Sequence, residues 1–280
     1  MIIPRVPQTS ADVAGHYDEL DEAYRSIWGE HVHHGYWRTG RETPERATEA
    51  LLELVAERLA PAPGQKVVDI GCGYGASAGW LADRYGVEVT GFTLSEAQWR
   101  VAAARHGPLA FQRRDWLENG LADAGFDRAF AIESSEHMED KARFFAEAAR
   151  VLKPGGRLVV CAWLARTRAG RREIRHLLEP ICREGRLPGM GTREEYEALA
   201  AGAGLVLLDF DDISRQVRRT WSVCLRRTLG KLVTDRAFRR LALARTTQNR
   251  SFLLSLPRLM IALRTGAMRY GFFVWEKPAA

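Results

Sequence analysis

No apolar run in the 280-residue sequence reaches the roughly 18 residues that a membrane-spanning helix needs. The first residues, MIIPRVPQTSADVAGHYDEL, lack the basic start and apolar middle of a secretory signal, so a cytoplasmic location is expected. Cysteine is scarce. Cys72, Cys161, Cys182 and Cys224 stand far apart without a CxxC pair, which argues against a disulfide framework or a zinc module and for reduced thiols. Internal repeats and low-complexity tracts are missing too. What remains is 46% hydrophobic residues, ample for a packed core.

The net charge of +6 is unevenly spread. Between Arg215 and Arg269 stand thirteen arginines, Lys231 and a single acid, Asp235, which makes that segment about +13 and the remainder about −7. Such a segment could face anionic lipid, an anionic substrate or nucleic acid, or simply form a solvated helical surface.

Residues 1–60 read as helical. TPERATEALLELVAERLA spaces Leu51, Leu52, Val55 and Leu59 at helical intervals, with Thr43 and Pro44 as cap and first turn. PAPG then breaks the helix, and strands alternate with helices from KVVDI to RLVVCAWLA, the last strand following a KPGG turn. That order implies an α/β fold with a parallel sheet flanked by helices. A basic helical segment at 166–191, the helix TREEYEALAAGAG and the strand LVLLDFDDIS follow. The basic insert ends in SFLLSLPRLMIALRTG, with Leu253, Leu256, Leu259, Met260 and Leu263 on one stripe, before a final strand, YGFFVWEKP. The expected organisation is a helical lid at 1–60, a core at 61–214, a basic amphipathic cap at 215–267 and a closing strand at 268–280.

The most informative stretch is VVDIGCGYGASAGWLA, residues 67–82. A strand-to-helix turn rich in glycine brings backbone N–H groups close to a ligand at the carboxyl end of a parallel sheet. The dinucleotide form is GxGxxG, but here the spacing is Asp69-x-Gly71-x-Gly73-x-Gly75. An acid just before the glycines repels a pyrophosphate and suits a cationic ligand.

DxGxGxG after a strand resembles the first motif of class I S-adenosylmethionine-dependent methyltransferases, whose fold is Rossmann-like and whose cofactor carries a sulfonium and an ammonium. GFTLSEAQ departs from the general pattern by offering Thr93 where the family places a ribose acid. It is similar to the TLSxxQ variant of the γ-tocopherol methyltransferase-like and cyclopropane synthase-like branches. The resemblance implies cofactor contacts at Thr93 and Gln98, at Asp115 and Trp116 of RRDWLE, and at Glu133. AIESSEHMEDKARFFAEAARVLKPGGRLVV and IWGEHVHHGYW look like elements of the same branch. They imply that His34 and Gly35 approach the methionine end of the cofactor, and that Tyr17, His33, Tyr36 and Trp37 stand at the mouth of the substrate pocket.

Methyl transfer from a sulfonium is an in-line displacement in which the protein positions the acceptor, excludes water and, for some acceptors, removes a proton. Glu136 and His137, at the end of the fourth strand, are the acid and base expected on the acceptor side. ESSEHMEDK also reads as a helix-capping segment. His31, His33 and His34 sit too close on one turn to converge on an ion, and no metal site is expected.

The expected activity is methylation of a hydrophobic small molecule, a prenylated aromatic or other isoprenoid, with carbon favoured over nitrogen or oxygen as acceptor. Lipid-chain methylation or cyclopropanation is the alternative within the resemblance. The basic lid suits peripheral contact with an anionic membrane. A nucleic-acid partner is disfavoured, because IESSEH lacks the Asn/Asp-Pro-Pro-aromatic pattern of base-amine methyltransferases.

Overall fold

The computed structural model describes residues 1–244 and 246–279, with the side chains of Leu253 and Leu254 outside the described residues. Three helices precede the sheet: α1 (Ser10–Glu19), α2 (Asp21–Ile27) and α3 (Pro44–Leu59). Then β1 (Lys66–Ile70), α4 (Ala76–Tyr85), β2 (Glu88–Thr93), α5 (Glu96–Arg105), β3 (Ala110–Arg113), β4 (Phe126–Ile132), α6 (Lys141–Val151) and β5 (Leu152–Ala165) alternate. Next come α7 (Arg171–Glu173) and α8 (Glu179–Glu184), joined through a π-turn at Ile174–Leu178, then α9 (Arg193–Gly202) and β6 (Val206–Asp212). Between β6 and the last strand, β7 (Met268–Glu276), lie α10 (Ser214–Val217), α11 (Arg219–Thr234), α12 (Arg236–Leu243), α13 (Arg250–Leu254) and α14 (Leu256–Thr265).

The seven strands lie in the order β3-β2-β1-β4-β5-β7-β6, and β7 runs antiparallel to both neighbours. The order reverses at β1, where the β1–α4 and β4 ends meet, and a doubly wound sheet binds its ligand at such a switch point. This is the Rossmann-like sheet expected from the sequence.

Both faces of the sheet are covered, which is why its strands read as unbroken apolar runs. Along β5, Val159, Cys161 and Trp163 join the cluster that includes Leu51, Leu52, Val55 and Leu59 of α3. Leu158, Val160 and Leu164 join the opposite cluster, with Phe144 and Phe145 of α6 and Tyr196 of α9. Each fully buried side chain of this size contributes about 1.5–3 kcal/mol, so the two layers hold the strand ends in register.

Three local expectations need correction. The N-terminal helical reading fails over residues 29–43, where Gly29 and Gly40 take positive φ and the backbone bonds to distant partners, Tyr36 N–H to the Ala47 carbonyl and Trp37 N–H to that of Gln216. KPGG is no separate turn before the strand: β5 starts at Leu152, opposite Phe126, and the register shifts before Arg128 meets Arg157. The stripe SFLLSLPRLMIALRTG is split between α13 and α14 at Ser255, with Pro257 in the first turn of α14. Leu256, Leu259 and Leu263 are buried and Met260 is half-buried, while the Leu253 side chain lies outside the described residues.

The switch point is held at van der Waals contact. Gly71 has φ 84°, and a Cβ built on it would stand 2.3 Å from the Ser134 Cβ. The Ser134 hydroxyl donates to the Ile70 carbonyl across the same gap. Gly71→Ala therefore meets both a left-handed backbone and a collision, and an unfolding free energy lower by about 2–4 kcal/mol is expected in chemical denaturation. Stability equal to the parent's would show that the two strand ends are not in contact.

Candidate active site

At the carboxyl ends of β1, β2, β3 and β4 opens a cavity. Gly71 and Gly73 line it with positive φ, and a Cβ on Gly73 would meet nothing closer than the Gln98 amide nitrogen at 4.0 Å. The backbone is bare there, a cradle that a side chain would fill. From β2 and α5 come Thr93, Ser95 and Gln98, and the Thr93 hydroxyl donates to Gln98 Oε1 at 2.8 Å. Asp115 caps the following turn by accepting the Leu117 N–H, and Trp116 is buried with its ring edge-on to Phe92.

Helix α1 closes this cavity. Val13 and Tyr17 line it, Ser10 donates its hydroxyl to Asp115 Oδ2 at 2.7 Å, and Asp18 accepts from the Ser95 hydroxyl at 2.5 Å. Asp69 lies beneath the glycine turn, 2% exposed, and among the described residues its Oδ2 has no partner. Burial pushes its carboxyl well up. Gly75 faces away and starts α4, with Phe111 and Ala102 where a Cβ would be. The bare glycines, the orphaned acid below them and the Asp115–Trp116 pair beyond fit the S-adenosylmethionine implied by the motif.

A second cavity shares Tyr17, Val32, Glu133 and His137 with the first. Its other walls are Tyr24 of α2, Trp28 just after that helix, Trp163 of β5, Leu187, Trp221 of α11 and Phe252 of α13, with Glu136 at one side. The two spaces therefore meet across a wall of one carboxylate, one imidazole and one phenol.

Glu133 ends β4 with φ 54°, a left-handed conformation uncommon for a non-glycine residue. Four donors hold its carboxylate: His34 N–H at 2.6 Å, His34 Nδ1 at 2.8 Å, the Tyr270 hydroxyl at 2.8 Å and Trp163 Nε1 at 3.1 Å. Burial alone would raise its carboxyl, but the charge and hydrogen bonds of His34, with His33 behind it, outweigh burial and bring it down to about 2. Glu136 takes the Trp163 backbone N–H at 2.5 Å and the Ser135 hydroxyl at 3.2 Å. Burial pushes it up to about 7 against the pull of the Trp163 N–H. The two neighbouring carboxyls are thus driven apart by their surroundings.

His137 has Nε2 3.0 Å from the Tyr17 hydroxyl and Nδ1 3.3 Å from the Arg186 carbonyl. Burial lowers its imidazole to about 4, with the Arg186 carbonyl opposing. A carbonyl can only accept, so Nδ1 carries the proton and Nε2 accepts from the Tyr17 hydroxyl, which lines both cavities. Lys141 Nζ donates to the carbonyls of Glu136 and Met138 and fixes this turn from behind.

The structure thus brings Tyr17, Gly71, Gly73, Thr93, Gln98, Asp115, Trp116, Glu133, Glu136 and His137 around two joined spaces. It does not bring His33, Gly35, Tyr36 or Trp37 to either. His33 spends Nδ1 on the His34 carbonyl, the Gly35 N–H goes to Thr220 Oγ1, and Trp37 is buried beside Ala47 and Val223 under Arg219. These residues bind the 29–43 segment to α3 and α11, and their aromatic character serves packing. His34 lines neither space and meets the site through Glu133.

Sequence reasoning did not single out Trp28, Trp163, Trp221, Phe252 or Tyr270. Trp163 carried a usable signal, as the last bulky residue of a parallel strand. Trp221 and Phe252 had none, since the insert's helical stripes do not say which one faces the sheet.

Glu133 and Glu136 oppose each other in acid. The Glu133 carboxyl lies below its ordinary 4.5, so its contribution is present above pH 4.5 and lost as pH falls towards 2. Glu136 lies above 4.5, so its burial weakens the fold as pH rises from 4.5 to about 7. Glu133→Gln should lower stability at pH 7 by about 3 kcal/mol and flatten the loss below pH 4.5 in denaturation curves. An acid limb as steep as the parent's would assign it to other carboxylates.

With this geometry in place, comparison with known proteins gives a consistent result. A family model described as mycolic acid cyclopropane synthetase matches residues 5–239. A probable chloroplastic tocopherol O-methyltransferase of Oryza sativa subsp. japonica is 34% identical over 243 residues, 80% of this chain and 67% of the relative. Methyltransferase GfsG of Streptomyces halstedii is 35% identical over 219 residues, 75% of this chain and 78% of the relative. The cyclopropane synthase MmaA2 of Mycobacterium tuberculosis shares the fold with a TM-score of 0.84 at 23% identity, covering 98% of this chain and 100% of its own. The chain belongs to the mycolic acid cyclopropane synthetase family and is a class I S-adenosylmethionine-dependent methyltransferase.

Proposed function

We propose that this methyltransferase transfers a methyl group to a hydroxyl of a hydrophobic small molecule held in the aromatic cavity. The observation that carries this reading is the pair of cavities sharing Tyr17, Val32, Glu133 and His137, with the His137 Nε2 lone pair directed at the wall between them. When bound, S-adenosylmethionine supplies an electrophilic methyl group on a sulfonium.

Gly71 and Gly73 offer bare backbone to the cofactor, Thr93 and Gln98 one polar edge, and Asp115 and Trp116 the other. Glu133 stays ionised at the shared wall, where a negative charge favours a cation. Tyr24, Trp28, Trp163, Trp221 and Phe252 exclude water from the acceptor and orient a flat or prenylated molecule. His137, neutral above about pH 4, takes a proton on Nε2 from the Tyr17 hydroxyl as Tyr17 takes the acceptor's hydroxyl proton. His34 acts through Glu133.

Carbon methylation, favoured on sequence, remains the second reading. Aromatic faces beside an ionised carboxylate also stabilise a developing carbocation. The curated relatives reported above favour oxygen only through the O-methyltransferase name of the rice protein.

His137→Ala distinguishes the two readings in assays with prenylated phenols and with isoprenoid alkenes. A fall of about 10²- to 10⁴-fold in phenol methylation, with S-adenosylmethionine affinity retained in calorimetry, is expected of a lost base. Undiminished phenol methylation would remove the base and, with it, the preference for oxygen.

The membrane contact is proposed on charge and exposure. Arg218, Arg226, Arg236 and Arg240 are exposed, as are Leu229 at 55% and Val233 at 76% on α11. Flotation with anionic vesicles at low salt, reversed at high salt, is the expected behaviour. No flotation at low salt would discard it. No helix among the described residues is long and apolar enough to cross a membrane.

A further inference from the structure

The turn after α8 places Arg186 between Gly185 and Leu187, which both line the aromatic cavity, yet Arg186 itself points away from it. Its backbone has φ 55°, in the region that L side chains seldom adopt. Its guanidinium is held at both ends: Nε donates to Asn249 Oδ1 at 2.7 Å and Nη1 to Gln8 Oε1 at 3.0 Å. Asn249 is in turn fixed by Glu19 at the end of α1, which accepts from the Asn249 backbone N–H at 2.8 Å and side-chain amide at 2.7 Å. The carbonyl that this arrangement aims is the one that meets His137 Nδ1.

We infer that Arg186 is a positioning residue: its side chain, anchored by the N-terminal segment and the basic insert, holds a left-handed turn whose carbonyl fixes the His137 tautomer with the lone pair on Nε2. This rests on the reading of His137 as the base. A free neutral imidazole distributes its proton between two nitrogens, and only one distribution leaves Nε2 able to accept. Three separate pieces of chain converge on that choice: Gln8 before α1, Asn249 before α13, and the turn itself. The base is competent only when the lid segment and the insert are both seated.

Other groups facing His137 do not make the same selection. Tyr17 of α1 meets Nε2 through a hydroxyl that can donate or accept, so it follows either tautomer. His16 of α1, Glu133 before its own turn and Lys141 of α6 act on it by charge, which changes how readily the ring is protonated without choosing a nitrogen, while Glu136 beside it holds its own proton up to about pH 7.

Three variants separate backbone aim from charge. Arg186→Met keeps a long apolar stem and loses both anchors. Arg186→Asn also loses the guanidinium but is among the non-glycine residues most at ease at positive φ. Gln8→Leu removes one anchor and leaves the turn untouched. Full-length protein with ¹⁵N-labelled histidine is read by NMR for the nitrogen that bears the His137 proton, and by kcat and KM across pH.

The parent should carry the proton on Nδ1. Arg186→Met should show a mixed tautomer, kcat lower by about 10- to 100-fold, KM for S-adenosylmethionine within about twofold, and an acid limb moved down from about pH 4, because the lost carbonyl bond had favoured the charged ring against burial. Gln8→Leu should shift in the same direction by less, and it decides the matter if Arg186→Met melts. Arg186→Asn should recover the tautomer and the acid limb. A parent proton on Nε2, or equal losses in Arg186→Met and Arg186→Asn, would overturn the inference. If the tautomer shifts as expected while methyl transfer ignores both Arg186→Met and His137→Ala, the positioning stands and the base reading fails.

Discussion

The Glu133 carboxylate is the constraint on which the rest of the site depends. Ionised and buried, it would be prohibitively costly without partners, and the four donors around it come from three other parts of the chain. His34 brings the 29–43 segment, Glu133 the end of β4, Trp163 the end of β5, and Tyr270 the start of β7. Satisfying one charge therefore fastens the lid segment to three strands of the sheet. Glu133 makes these four contacts from a left-handed backbone, φ 54°.

A second consequence is electrostatic. Two carboxyls three residues apart in a water-poor turn cannot both ionise cheaply. Glu133 monopolises the side-chain donors of its surroundings. Glu136 receives one backbone N–H and one hydroxyl, so its proton is retained to about pH 7. His137, facing the same turn, has its own proton committed to a carbonyl and is neutral. The wall between the cavities thus carries close to one negative charge, which suits a cationic donor on one side and an uncharged, apolar acceptor on the other.

Much of the sheet and the cofactor side was legible in the sequence, for a physical reason. A parallel strand buried on both faces must be a short apolar run, and a turn that exposes backbone N–H groups must be rich in glycine. Asp69, Gly71 and Gly73 announce their place by spacing alone. Gly75 shows the limit of that logic: it shares the motif but serves the packing of α4 on Phe111. The aromatic residues of IWGEHVHHGYW misled in the same way, because a buried tryptophan such as Trp37 and a cavity-lining one such as Trp28 have the same composition and differ only in what the chain later places against them.

The acceptor cavity was largely illegible because no single element builds it. Tyr24 belongs to α2 and Trp28 caps its C-terminus, Trp163 belongs to β5, Leu187 to the turn after α8, Trp221 to α11 and Phe252 to α13. Periodicity identifies an apolar stripe within one helix, but it carries no information about which stripes from distant helices will share a space. The cofactor cavity is cut into the sheet and follows from its topology. The aromatic cavity is assembled over the sheet by segments distant in sequence, and it shares Tyr17, Val32, Glu133 and His137 with the first. Substitutions in α2, α11 and α13 can therefore reshape the aromatic space while the glycine turn and the shared wall stay in place, and under the proposed function those helices are where acceptor identity would be set.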